Sequence, residues 1–392
     1  MLSVRLKPHK EESLLRFHPW VFSGAVQSID GQPYEGEVVR VMSHDGRALC
    51  TGHYQIGSIA VRVLSFDADE PIDTAFWRRR IEAALLVRHA LGVIRPDNDT
   101  YRLIHGEGDM LPGLIVDIYG DTAVMQAHSA GMHLVRQQIA ALLCEIVDGV
   151  RNVYYKSEGT LPYKADLNGR DDGYLIGCES TCVGCENGLK FNIDWLRGQK
   201  TGFFVDQRDN RSLLERYSKS RRVLNMFCYT GGFSVYALRG GAQAVHSVDS
   251  SAKAIELTDR NVALNFGDCA RHEAFAEDAF KFLDGMKEAY DLIILDPPAF
   301  AKHRGAIRNA LQGYRRLNQK ALEKIAPNSI LFTFSCSQVV DKDMFRLAVF
   351  SAAAGARRKV RILHQLTQPA DHPINIYHPE GEYLKGLVLH IE

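Results

Sequence analysis

The sequence predicts an α/β protein whose C-terminal half is a doubly wound, Rossmann-like, seven-stranded sheet, preceded by a small β-barrel and a middle α+β segment. Three observations carry that expectation. Residues 221–251, RRVLNMFCYTGGFSVYALRGGAQAVHSVDSS, read as strand, glycine turn, helix and strand. Short apolar runs recur at 273–276, 290–295 and 329–334, separated by helical spacing, as a sheet buried on both faces requires. The first 66 residues hold only short strands and glycine turns, which favours a barrel.

The stretch 221–251 organises the rest. Residues 222–227 suit a buried parallel strand, and 228–232 make a turn with adjacent Gly231 and Gly232. Residues 233–239 form a short helix stopped by Gly240 and Gly241. Residues 244–248 supply a second strand, with Asp249 at its carboxyl end. A glycine turn lets a ligand approach the backbone, and an acid ending the next strand can accept both hydroxyls of a ribose. Together they point to a nucleoside cofactor. A dinucleotide would call for G-x-G-x-x-G, to seat its pyrophosphate on the helix N-terminus. The loop Asn225-Met-Phe-Cys-Tyr-Thr-Gly-Gly-Phe has only the paired glycines, which argues against NAD. A cofactor with a ribose and no phosphate fits better: S-adenosylmethionine. A βαβ unit without a ligand would leave the position of Asp249 without a purpose.

The chain has 392 residues, with 47 Lys plus Arg against 47 Asp plus Glu. At zero net charge, any nucleic-acid binding rests on local patches. Apolar runs are too short to span a bilayer, and the N-terminal segment lacks a signal-peptide core, so a cytoplasmic protein is expected. Its eight cysteines are expected to be reduced. Cys178, Cys182 and Cys185 form C-x3-C-x2-C, a spacing that could begin a zinc or iron–sulfur site. No fourth ligand lies nearby, and GLKFNIDW follows, so a hairpin with incidental cysteines and no metal is favoured. Three domains are expected, at 1–70, 71–186 and 187–392.

Strands are expected at 4–6, 36–42, 48–54 and 59–64, with His44-Asp45-Gly46 as a hairpin turn. Lys7, His9, Lys10, Arg16, His18 and Trp20 crowd the start. Basic groups bind phosphates and an aromatic can stack on a base. Trp20 taken alone reads as a core residue. Residues 66–72 are an acidic linker and 74–91 a helix carrying three consecutive arginines. Strands at 114–119 and 122–127, a helix at 133–147 and a strand at 152–156 complete the middle segment. His105, Glu107 and Asp109 read as turn formers in a glycine-rich loop.

A strand at 189–195 leads to a helix ending near Ser218, with Asp206 as its N-cap. Gln207 and Arg208 at that helix start can hold a carboxylate, such as the cofactor's methionine end; a first-turn dipole arrangement is the alternative. After Asp249 come a helix at 252–265 and a third strand ending in Glu277-Asp278, whose acid can accept from the adenine amine. The fourth strand runs into Asp296-Pro297-Pro298-Ala299-Phe300. Two prolines force the chain out of the sheet, so Asp296 falls at the ligand crevice. The fifth strand delivers Ser335-Cys336-Ser337 to the same edge. A helix at 343–354 follows, and segments at 360–363 and 383–390 complete the sheet.

A thiol beside a methyl donor suits pyrimidine C5, which is a poor nucleophile. Thiolate addition at C6 makes C5 enamine-like, and Asp296 could hold the N3/N4 edge of the base. The plain alternative for Cys336 is a small buried hydrophobe; its place between two serines after a strand favours chemistry. Residues 302–324 carry seven Lys or Arg and one acid, and Arg357, Arg358, Lys359 and Arg361 form a second basic cluster. Both could grip RNA phosphates around an unstacked base.

R-x-H-P-W-V-F-S-G-A, G-E-V-V-R-V and T-G-H-Y near the start resemble a PUA domain, an RNA-binding pseudo-barrel. Asn225-Met-Phe-Cys-Tyr-Thr-Gly-Gly-Phe, Lys200-Thr-Gly-Phe-Phe-Val-Asp-Gln-Arg, Asp296-Pro-Pro-Ala-Phe and Phe334-Ser-Cys-Ser resemble the bacterial PUA-containing 23S rRNA cytosine-C5 methyltransferases. The resemblance covers the whole chain. It implies a PUA β-barrel, a middle α+β domain and a class I methyltransferase domain. It implies Cys336 and Asp296 as catalytic residues and large-subunit rRNA as partner, and leaves a homodimer open. S-adenosylmethionine would be held by Gln207 and Arg208, by the loop residues Asn225, Phe227, Tyr229 and Gly231, by Asp249 with Ser250, by Asp278 with Ala279, and by Asp296. A related branch methylates a guanine ring nitrogen and lacks the cysteine in F-S-x-x. Ala299 after Pro298 departs both from DNA cytosine-C5 enzymes, which have cysteine there, and from amine methyltransferases, which have an aromatic. A third alternative is a non-catalytic RNA-binding protein on a relic fold. The cluster Cys178, Cys182, Cys185 is not implied by the resemblance.

Overall fold

The computed structural model describes residues 1–162, 167–178 and 182–392. They form two compact units: Met1–Cys185 with Ile193–Val205 and Ala370–Gly381, and Glu186–Asn192 with Asp206–Pro369 and Glu382–Glu392. No helix among the described residues is long and apolar enough to cross a membrane.

The first unit opens with β1 (Ser3–Leu6), α1 (Glu12–Leu15), β2 (Trp20–Phe22), β3 (Val26–Ile29), β4 (Val38–Met42), β5 (Ala48–Tyr54) and β6 (Ile59–Ser65). These strands make one sheet in the order β2-β6-β5-β4-β1-β3, curled around Val4, Leu6, Val39, Val41, Val61 and Val63. Alternation of apolar and polar residues sets which face of each strand turns inward. Beyond the expected strands, Trp20–Phe22 is itself a strand, with Trp20 opposite Arg62 on β6.

Next come α2 (Thr74–Ala90), β7 (Thr100–His105), β8 (Leu114–Tyr119), β9 (Thr122–Ala127), α3 (Ala130–Leu134), α4 (Arg136–Ile146), β10 (Asn152–Tyr155) and β11 (Gly173–Ile176), with a sheet in the order β11-β10-β9-β8-β7. Asp73 caps α2, accepting from Phe76 N at 2.9 Å. The single helix expected over 133–147 is two. Ser129 starts α3, and Val135 at φ −93°, ψ 5° breaks the path before α4. Gly106–Asp109 is a 3-10 turn, and its acids do more than turn the chain. Asp109 receives the buried Arg88 guanidinium on both oxygens, and Glu107 accepts from Trp20 Nε1 at 2.8 Å and Arg62 Nη1 at 2.9 Å. Trp20 is thus half-buried with its indole N–H satisfied, not a fully apolar core residue.

β12 (Val183–Glu186) and β13 (Leu189–Asn192) form a two-stranded ribbon. The strand expected to reach 195 ends at Asn192. Among the described residues, no three His, Cys, Asp or Glu side chains are grouped to hold a metal ion.

The second unit contains α5 (Arg208–Tyr217), β14 (Arg222–Met226), α6 (Gly232–Arg239), β15 (Ala244–Asp249), α7 (Ala252–Phe266), β16 (His272–Ala276), α8 (Ala279–Gly285), β17 (Leu292–Leu295), α9 (Ile307–Lys324), β18 (Ser329–Ser335), α10 (Lys342–Gly355), β19 (Val360–Thr367) and β20 (Lys385–Ile391). The sheet order is β16-β15-β14-β17-β18-β20-β19, with β20 antiparallel to both neighbours and the other ladders parallel. Leu224, Ile293 and Leu331 are fully buried beneath α9, whose inner face is Ala310, Tyr314, Leu317 and Ala321. Asp206 does not cap α5: it sits in a 3-10 turn, Val205–Gln207, and accepts from Tyr383 OH at 2.7 Å, so the N-cap falls one residue later, on Gln207. Strand order, not strand direction, reverses between the parallel neighbours β14 and β17, so the crevice a ligand can enter opens at their carboxyl ends.

Candidate active site

Ladder register puts the functional positions level with one another. Met226 pairs with Val248 and with Leu295, and Leu295 pairs with Thr333. One residue further along their strands stand Phe227, Asp249 and Asp296, at the switch point itself.

The loop after β14 has an unusual backbone. Phe227 (φ 60°), Tyr229 (φ 47°) and Gly231 (φ 72°) alternate in the left-handed region. Such conformations of bulky residues are strained by roughly 1–3 kcal/mol each and persist where surroundings enforce them. Here Asp249 does part of that: Oδ2 accepts from Tyr229 N at 3.1 Å and Oδ1 from Ser251 N at 2.9 Å. Two α7 residues do the rest: Thr258 Oγ1 donates to Tyr229 O at 3.0 Å and Asn261 Nδ2 to Thr230 O at 2.8 Å. A Cβ on Gly231 would lie 2.6 Å from Thr258 Cγ2, so only glycine fits. Asn225, at the end of β14, gives its amide N–H to Ser234 Oγ at 2.8 Å, while its buried Oδ1 has no partner among the described residues. A buried acceptor left open beside a strained loop suits a ligand donor.

Asp249 is half-buried, with remaining lone pairs, and Ser250 beside it is exposed. Asp278 is exposed and uses one oxygen to cap α8, accepting from Phe280 N and Lys281 N at 3.0 Å each. Ala279 behind it is buried. Gln207 and Arg208 are 3% and 4% exposed at the start of α5. Gln207 Nε2 donates to Asp296 Oδ2 at 3.0 Å, and its Oε1 accepts from Asn210 Nδ2 at 2.7 Å. The amide expected to meet a cofactor carboxylate is thus engaged with Asp296, which it orients. Arg208 Nε lies 3.7 Å from Asp209.

At the end of β18 the flanking serines are tied down. Ser335 Oγ donates to Tyr314 OH at 2.9 Å, and Tyr314 OH and Ser337 Oγ share a 2.9 Å hydrogen bond. Ser337 also accepts from Ala301 N at 3.3 Å, in the stretch following Asp296-Pro-Pro. Both serines are fully buried and Cys336 between them is half-buried. Burial pushes the Tyr314 hydroxyl up, so it stays a neutral donor and acceptor. Cys228, also at this sheet edge, is buried and its thiol is pushed up to about 12 by desolvation, so it stays inert.

The basic stretch near α9 divides. Arg315 and Arg316 are exposed, with Arg316 4.4 Å over the Phe280 ring, whereas Lys320 is paired with Asp284. The second cluster also divides. Arg358 donates to Leu322 O and Ile325 O at 3.1 Å each, closing the C-terminus of α9, and Arg361 pairs with Glu392. Carbonyls at a helix end attract a guanidinium, so Arg358 is held there, while Arg357, Lys359 and Arg361 remain exposed. Sequence reasoning also missed Thr258, Asn261, Tyr314 and Lys385. Thr258 and Asn261 had a signal, polar residues three apart on a helix; Tyr314 and Lys385 had none outside their tertiary partners.

A family model described as S-adenosylmethionine-dependent methyltransferase matches residues 174–376, and one for a PUA-like domain matches residues 4–66. "Ribosomal RNA large subunit methyltransferase I" of Tolumonas auensis is 41% identical over 394 residues, 99% of this chain and 98% of that one. The protein of the same name from Shewanella denitrificans is 39% identical over 402 residues, 100% and 99%. Among solved structures, a methyltransferase complexed with SAH superimposes with TM-score 0.85 at 23% identity over 100% of both chains. The M. jannaschii tRNA m1G37 methyltransferase superimposes with TM-score 0.50 at 18% identity, covering 71% of this chain and 76% of its own. The residues at the switch point fit S-adenosylmethionine, and the chain belongs to the S-adenosylmethionine-dependent methyltransferase family, with a class I fold and an N-terminal PUA-like domain.

Proposed function

We propose that this chain is a cytoplasmic RNA methyltransferase that methylates C5 of a cytosine in large-subunit ribosomal RNA, with Cys336 as nucleophile. One observation carries the reading: a half-buried thiol stands between two anchored, fully buried serines at the sheet edge that also holds the strained loop after β14 and Asp296. The names of relatives 39–41% identical over nearly the whole chain support the ribosomal substrate. The fold is shared with a guanine-N1 methyltransferase, so architecture does not choose the base; the thiol supports cytosine.

Bound at the switch point, S-adenosylmethionine supplies an electrophilic methyl group. Cys336 forms an S–C6 bond and pushes the ring electron pair to C5, which takes the methyl group. Asp296, oriented by Gln207, holds the N3/N4 edge and supports the adduct. A base then takes the C5 proton, and the electron pair expels the thiolate from C6. The exposed Arg315 and Arg316 and the PUA-like domain contribute phosphate contacts.

Incubation with labelled cofactor and rRNA containing 5-fluorocytosine tests this. Fluorine cannot leave as a proton, so wild type should form a denaturation-resistant protein–RNA adduct. Cys336→Ala should form none and lose turnover, while still binding cofactor. The guanine reading expects no adduct and near-normal turnover in Cys336→Ala; a relic fold expects no methyl transfer. Methylated RNA made by Cys336→Ala would overturn the assignment.

A further inference from the structure

Lys385 is the first residue of β20, and its backbone lies opposite Ser335 in the antiparallel ladder. Its side chain crosses to the far side of the nucleophile turn: Nζ donates to Ser337 O at 2.6 Å and also to Val340 O. One residue therefore grips the chain immediately before and immediately after Cys336. The residue is 5% exposed. A buried ammonium is expensive to desolvate, and two carbonyl acceptors do not compensate a full charge. An anion arising next to it would, and Cys336 is the group placed to become one. Cys336, Asp341, Lys342 and Glu382 face the ammonium; Asp341 caps α10 through Met344 N at 2.7 Å, and Glu382 is paired with Lys342. Tyr314, from α9, faces the thiol through Ser335 and Ser337 and is neutral. Burial draws the amine down to about 8, which leaves it mostly cationic at pH 7.

We propose that Lys385 is a positioning residue for Cys336, fixing the turn that carries the thiol and supplying the cation that favours its thiolate. The inference rests on Cys336 acting as nucleophile, and two separate readouts keep the two ideas apart. In the full-length protein, the rate of Cys336 alkylation by iodoacetamide is followed across pH by mass spectrometry of its peptide. Wild type should show a midpoint below the ~8.5 of an ordinary thiol. Lys385→Met should raise that midpoint by about one unit, slowing alkylation roughly tenfold at pH 7 and slowing adduct formation with 5-fluorocytosine RNA alike. Lys385→Arg, which keeps the charge, should recover most of the shift, an effect that loss of packing alone would not produce. Should Lys385→Met fail to bind S-adenosylmethionine, Lys385→Gln replaces it, keeping a donor without the charge. Equal midpoints in wild type and the neutral variant overturn the role of Lys385. A lysine-dependent midpoint with no wild-type adduct leaves that role standing and overturns the cytosine-C5 reading instead.

Discussion

Replacing Asp249 with alanine should separate ligand binding from folding. The carboxylate accepts from Tyr229 N at 3.1 Å and from Ser251 N at 2.9 Å, and both amides sit at a half-exposed edge where water can replace it. A hydrogen bond to a charged group contributes roughly 1.5–3 kcal/mol when sheltered, and solvent reduces that here, so the folded protein should lose only about 1–2 kcal/mol. Binding should suffer more. The ribose hydroxyls lose a charged acceptor, about 2–3 kcal/mol, which is on the order of a hundredfold in Kd. Phe227 at φ 60° and Tyr229 at φ 47° also lose a restraint, so the loop relaxes away from its binding form and weakens affinity in the same direction. Asp249→Asn keeps one acceptor and should fall between, at about tenfold. Calorimetric titration with S-adenosylmethionine gives Kd, and thermal melts of the same samples check folding. An Asp249→Ala protein that binds within about threefold of wild type would remove this acid from the site and with it the ribose argument.

Arg211→Leu should destabilise the protein by about 3–5 kcal/mol in urea titration, because it strands the fully buried Glu186, whose oxygens take Arg211 Nε at 2.8 Å and Nη2 at 2.6 Å; Glu186→Leu with Arg211→Leu should recover much of the loss, and an additive double variant would contradict this. Burial lowers His53 and His272 to about 4, against 6.5 unfolded, so folding stability present above pH 6.5 should be lost as pH falls toward about 4; an unfolding free energy unchanged between pH 6.5 and 5 would refute it. RNA affinity should fall steeply with salt although the chain is neutral overall, and Arg315→Glu with Arg316→Glu should flatten the slope; a wild-type affinity insensitive to salt would exclude phosphate-led docking.

Elements whose cause is local were legible in the residues. Glycine at 231 and 240–241, prolines at 297–298 and the apolar runs between them mark where strands end and helices begin, since φ limits and period-2 or period-3.6 burial act within a few residues. Hence the parallel strands and the helices α6, α7 and α10 came out within a residue or two of their observed bounds, and Asp249 and Asp296 fell at strand ends, whereas α8 and α9 were not foreseen. The acid at 206 misled because Asp at a helix start is a good cap locally, whereas Tyr383, far along the chain, takes its carboxylate. Arg358 misled for a similar reason: a basic run reads as open to phosphates until the C-terminus of α9 is seen beneath this one residue.

Residue pattern by itself determined the α/β class, the order of the strands along the chain, the switch-point crevice and the presence of a thiol after the fifth strand, because each follows from local backbone preference and burial period. Tertiary structure alone decided that Gln207 turns to Asp296, that Thr258 and Asn261 hold the left-handed loop, and that Lys385 clasps both sides of Cys336. Those are pairings across tens of residues, where a buried polar group takes whichever partner the packed fold brings within hydrogen-bond reach, and no spacing in the chain records which one that is.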